Sequence, residues 1–233
     1  MPQFAQNFPP QAQVYRASFH SVLAEEHLPA AEAALAAFSQ ALQQRQQQGG
    51  LLTASLFRYE QHLFFYGEGL DAPPEPEGLC PALDALLLPW PPKVEDHGVP
   101  RRWAAMQPYY YHARPGAAAD WMRDRHPQRQ RGRIAVLPQD KWCSYIEHHL
   151  RLVREEKIAG DRWHLICAQE NLLFSYLEEP RTNVNLCGCP GARSEALDAW
   201  TACDPERHFQ HFDPSQQDGT DCNFVFLPRC AGT

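Results

Sequence analysis

The chain has 233 residues, 44% of them hydrophobic and 21% charged, with a formal charge of −7. These proportions are globular and exclude a disordered or fibrous chain; the length suits one large domain or two of about 115 residues each. The acidic balance argues against nucleic acid or anionic membrane as partners, and no apolar run nears the roughly 18 residues of a membrane span.

The start, Met1-Pro-Gln-Phe, lacks the basic and apolar regions of a signal peptide, so a cytoplasmic protein is expected. Without a secretion signal, the eight cysteines read as reduced thiols, not a disulfide framework.

Residues 1–12 are rich in Gln, Pro and Asn and are expected to form a mobile tail. Val14–His20 reads as a strand. From His27 to Gln47, Leu28, Ala31, Leu35, Phe38 and Leu42 recur at helical steps, and Gly49-Gly50 ends the helix. Leu51–Arg58 and His62–Glu68 read as two strands of a hairpin through Tyr59-Glu60-Gln61. Leu79–Leu88 predicts a short helix, stopped by Pro89-Trp-Pro-Pro92. Met106–His112 predicts a strand whose three tyrosines alternate between faces.

Residues 114–131 carry Pro115-Gly116 and the cluster Arg123, Arg125, Arg129 and Arg131, and read as a solvated basic linker. Arg133–Leu137 then predicts a strand. Gln139–Ile158 predicts a helix with Trp142, Ile146, Leu150 and Val153 on one face. Asp161–Ala168 and Asn171–Glu178 predict a second hairpin, Glu195–Trp200 and Pro205–Phe212 short helices, and Asp221–Leu227 a final strand.

Both halves therefore read β-α-β-β-α-β, the split βαβ order of a ferredoxin-like unit. The central hairpins match best, each leading through a short polar turn into an aromatic-rich strand with Glu near its end. The expected architecture is α+β: tandem ferredoxin-like repeats over 13–113 and 132–233, forming an intrachain pseudo-dimeric α/β barrel. Both faces of strand 163–168 are largely apolar, so each sheet needs a second sheet over its open face. Such a chain needs no partner subunit.

The second long helix carries Tyr145-Ile-Glu-His-His149. Tyr145 and His149 are spaced i, i+4 and share one face. A His beside a Tyr can move protons near neutral pH; a buried His bonded to a backbone carbonyl is the plainer alternative.

On these residues the second half resembles the L-rhamnose mutarotase family of dimeric α/β barrels. Tyr145 and His149 match its Tyr-His pair, and Trp163-His-Leu-Ile-Cys and Asn171-Leu-Leu-Phe resemble its hairpin. Trp200 and Phe224-Val-Phe-Leu-Pro228 resemble its late Trp and closing strand. Where the family has Pro-Glu-Leu, this chain has Arg151-Leu-Val-Arg-Glu-Glu156, and His208-Phe209 replaces a paired Trp. The resemblance implies a cofactor-free enzyme that interconverts the anomers of a small sugar by ring opening. His149 and Tyr145 or His208 would serve as acid and base, and Trp163, Trp200 or Phe209 would contact the sugar. The first half has His27 but Leu23 in place of the Tyr.

Cys187-Gly-Cys189 with His208 and His211 offers zinc-type ligands at a spacing that fits no strong zinc signature, so no metal is expected. No phosphate loop or nucleophile elbow is present. Two other functions share the fold: a non-catalytic small-ligand-binding or structural barrel, and a haem-linked or cofactor-free oxygenase.

Overall fold

In the computed structural model, residues 9–92, 94–123, 127–156, 158–159, 161–181, 185–186, 193–213 and 223–233 are described. Cys187, Cys189 and Arg125 lie outside them, as do residues 1–8 of the expected tail. Residues 9–12 are tied down: Ala12 donates to the Pro9 carbonyl and Ala118 donates to that of Ala12.

The apolar spacing read from the first half builds a helix on a sheet. The chain runs through β1 (Val14–Val22), α1 (Ala31–Gln47), β2 (Leu51–Tyr59), β3 (His62–Leu70), α2 (Pro81–Asp84) and β4 (Ala104–Ala105). Ala31, Ala34, Leu35, Phe38 and Leu42 are the buried stripe of α1. They pack with Leu63 and Phe65 of β3 and with Trp103 in one core. Successive strand side chains point to opposite faces, so Phe64, Tyr66 and Glu68 face away from α1. The helix begins at Ala31, not His27, because Glu25–Ala30 forms a 3-10 turn containing Pro29. Gly49, at φ 79°, takes the left-handed conformation just past the helix end.

The chain continues through β5 (Gln107–Tyr111) and α3 (Ala118–Trp121), and then through β6 (Arg129–Val136), α4 (Gln139–Glu155), β7 (Ile158–Ala159), β8 (Leu165–Gln169), β9 (Leu172–Glu179), β10 (Asn185–Leu186), α5 (Glu195–Ala202), β11 (Val225–Leu227) and β12 (Arg229–Gly232). The protein is thus a mixed α/β molecule, with two antiparallel five-stranded sheets among the described residues. Their orders are β12-β2-β3-β1-β4 and β11-β6-β9-β8-β5, and β7 pairs separately with β10. No helix among the described residues is long and apolar enough to cross a membrane.

The chain divides into two compact units that do not follow the expected limits of 13–113 and 132–233. One comprises Met1–Met106, Pro115–His126 and Pro228–Thr233; the other comprises Gln107–Arg114 and Pro127–Leu227. The reason is strand pairing. β5 hydrogen-bonds to β8, and β12 to β2.

The expected basic linker, 114–131, is also corrected in its described part. Trp121 of α3 is buried, Arg123 grips the buried Glu68 with two bonds of 2.8 and 3.0 Å, and β6 already begins at Arg129. A buried carboxylate demands a counter-charge, which draws this arginine out of solvent.

Candidate functional site

The site grows from the face of α4 that is most deeply buried. Its buried residues are Tyr145, His149 and Leu152, whereas Trp142, Ile146, Leu150 and Val153, the expected apolar stripe, are only partly buried beside them. The helix is turned from that expectation because aromatic rings of β5 and α5 take up the Tyr145/His149 edge. Tyr109 and Tyr110 meet the His149 ring edge-on at 5.6 and 5.0 Å between centroids. Trp200 of α5 meets it at 4.8 Å. Tyr145 and His149 lie 4.2 Å apart, one helical turn along.

His149 Nδ1 lies 2.9 Å from the Tyr145 carbonyl oxygen. A carbonyl only accepts, so Nδ1 carries the proton and the neutral ring keeps its lone pair on Nε2. Burial is the main cause that lowers the imidazole to about 4, with His148 and His208 adding to the effect and the carbonyl bond opposing it. The ring is therefore neutral at pH 7. Burial also raises the Tyr145 and Tyr109 phenols well above their ordinary range and Tyr110 to about 12. All three are protonated donors at neutral pH. The buried Tyr109 hydroxyl interacts with that of Tyr145.

His208, in the short 3-10 turn Pro205–His208, bonds through Nε2 to Ser144 Oγ at 3.1 Å. Its ring lies 5.2 Å from Trp200 and 6.0 Å from Tyr145. Phe209 meets Tyr145 edge-on at 5.3 Å. The structure thus gathers Tyr145, His149, Trp200, His208 and Phe209 into one aromatic–imidazole cluster. Trp163 is placed differently, in the turn before β8, with the Arg162 guanidinium 5.9 Å from its ring centroid. In the first half, His27 lies in the 3-10 turn before α1. With α1 and α4 aligned at their first residues, Ala37 and Ala41 occupy the places of Tyr145 and His149.

An open space lies beside this cluster. A cavity of about 210 Å³ is bounded by Tyr110 to Arg114 on one side and by Leu152, Val153 and Glu156 on the other. Tyr110 belongs to both places: it lines the cavity and touches the His149 ring. Sequence reasoning placed none of the cavity residues in the site. Its only signal was the run Tyr109-Tyr110-Tyr111, whose partners are remote in sequence.

Among the described residues no cluster of three or more His, Cys, Asp or Glu could hold a metal ion. The five cysteines among them, at 80, 143, 167, 203 and 230, are free.

No family model matches the chain, and no curated protein matches it in sequence. Two solved structures are similar to it. One, described as a putative monooxygenase from Fusobacterium nucleatum subsp. nucleatum, has a TM-score of 0.38 and 6% identity over 95% of this chain and 94% of its own. The other, described as an anthrone oxidase-like protein, has a TM-score of 0.32 and 8% identity over 94% of this chain and 90% of its own. Neither is described as a mutarotase, and a likeness this distant assigns no activity.

Proposed function

We propose that this protein binds a small molecule in the cavity between β5 and the last turn of α4. The observation that carries this reading is the cavity itself, which combines aromatic walls at Tyr110 and Tyr111, apolar side chains at Leu152 and Val153, and charged groups at Arg114 and Glu156. Apolar walls with a few placed polar groups are the usual make-up of a ligand pocket.

A thermal-shift screen of monosaccharides, amino acids and aromatic acids tests it. A ligand of the cavity raises the melting temperature by mass action. That rise is expected in the wild type and lost in Val153→Trp, which fills the cavity. A screen in which no compound behaves so overturns the reading.

A second reading adds cofactor-free acid–base chemistry, of which anomer exchange in a small sugar is the case implied by the mutarotase resemblance. It is favoured by the Tyr110 contact, which sets a neutral His149 one ring away from the cavity. Here His149 Nε2 is the base, and Tyr145 or His208 the acid. Trp200 and Phe209 support the ring cluster, and Trp163 has the more distant substrate role that the resemblance gives it. Anomer exchange followed by NMR checks this reading. A rate enhancement is expected from the wild type, and a His149→Ala variant with the same rate removes it.

We also infer that the chain is a tandem duplication of a ferredoxin-like unit. Supporting this, four strands from each half take the same spatial order in their sheet, β4-β1-β3-β2 and β11-β6-β9-β8. In both, the third strand carries a Tyr two residues before a Glu. Tyr66 donates to Glu68 at 2.5 Å and Tyr176 to Glu178 at 2.6 Å.

A further inference from the structure

The cavity beside α4 holds two opposite charges that do not meet. Arg114 and Glu156 both border it and both are exposed, and neither forms an ion pair with the other or with any of the described residues. The Arg114 guanidinium instead lies 5.5 Å from the Tyr111 ring centroid.

Glu156 is fixed by backbone as well as by sequence. It is the C-cap of α4, at φ 54° and ψ 17°, a left-handed conformation that favours glycine. The carboxyl end of α4 carries partial negative charge, so that rim attracts a cation twice over. Arg114, which lines the same cavity, attracts a carboxylate. The Tyr110 and Tyr111 rings and the Leu152 and Val153 side chains line the rest of it.

A singly charged ligand would satisfy one rim and leave the other unmatched. A ligand carrying both an ammonium and a carboxylate, with an apolar remainder, satisfies both. We propose that the cavity binds a free α-amino acid with an apolar or aromatic side chain. The carboxylate lies toward Arg114, the ammonium toward Glu156, and the side chain against Tyr110, Leu152 and Val153. This inference rests on the reading that the cavity is the ligand site, and adds the class of ligand.

Calorimetric titration of the full chain at pH 7 tests it, with L-phenylalanine, L-leucine, 3-phenylpropanoate and 2-phenylethylamine as probes. The wild type is expected to bind the amino acids, and to bind each singly charged analogue about threefold to fivefold more weakly. Arg114→Gln is expected to weaken L-phenylalanine by a similar factor and leave 2-phenylethylamine unchanged. Glu156→Gln is expected to weaken L-phenylalanine and leave 3-phenylpropanoate unchanged. Both positions are exposed, and matching far-UV circular dichroism checks that the variants fold. An analogue that binds as tightly as L-phenylalanine, or no binding of either amino acid, overturns the proposal. Should another compound then bind in a manner lost in Val153→Trp, the cavity stands as the ligand site and only the amino-acid assignment falls. If none does, both fall.

Discussion

Burial holds the His149 imidazole at about 4, against 6.5 for an unperturbed ring. Between those values the unfolded chain binds a proton that the folded ring refuses. Stability therefore rises with pH from about 4 to 6.5 and is level above that window. The full difference corresponds to roughly 3 kcal/mol. Burial also lowers His208 and His62, which act in the same direction. The variant His149→Phe keeps a ring among Tyr109, Tyr110 and Trp200 and removes the titration. Urea unfolding across pH 4–7 is expected to show a distinctly shallower slope in this variant than in the wild type. Equal slopes would mean that the imidazole titrates as freely in the fold as outside it.

At the scale of the element, β12 shows what one short strand contributes. It pairs with β2 through Arg229, Ala231 and Gly232. Thr233 donates to the Ala54 carbonyl at 3.0 Å, and its hydroxyl accepts from the Ala54 N–H at the same distance. Deleting residues 229–233 removes several such bonds, each worth about 1 kcal/mol. A fall of roughly 3 kcal/mol, or roughly 10 °C in melting temperature, is expected, with faster amide exchange at Ala54. An unchanged melting temperature would show that β12 adds nothing to the sheet.

The same strand marks where the sequence stops being legible. The hairpin β2–β3 was readable from alternation and a polar turn, and α1 from its three- and four-residue spacing. Tyr145 and His149 were readable as one face of α4 for the same reason. Ala104–Ala105 is too short to carry a period, and Arg229–Gly232 follows Pro228 without alternation. Met106–His112 reads as a strand, but its partner β8 lies more than fifty residues away, where no local pattern can indicate it. The cavity was hidden likewise, since Tyr110 and Leu152 come together only through the pairing of β5.

At the scale of the molecule, each sheet takes its fifth strand from the other half of the sequence. β5 leaves the first half for the sheet of β6, β8 and β9, and β12 returns from the end of the chain to the sheet of β1–β4. Arg123 follows the same rule, since it lies beyond β5 in sequence yet neutralises Glu68 of β3. Burial alone would raise the Glu68 carboxyl; Arg123, with Arg16 and the Tyr66 hydroxyl, holds it below its ordinary value instead.

A chain cut after Ala113 therefore severs more than a connection. Fragment 1–113 keeps Glu68 without Arg123, loses β12, and carries the tyrosines of β5 with no β8 to receive them. Fragment 114–233 loses Tyr109 and Tyr110 from its core and leaves the β8 edge open. Stranding a buried charge by removing its partner costs about 3–5 kcal/mol, a large share of the 5–15 kcal/mol that holds a domain together. Neither fragment alone is expected to give a cooperative thermal transition. An equimolar mixture is expected to recover one, because every missing group is present on the other fragment. Scanning calorimetry of the two fragments, apart and mixed, distinguishes this from independent repeats: a cooperative transition in either fragment by itself would mean that the exchanged strands and Arg123 are dispensable to the unit they join.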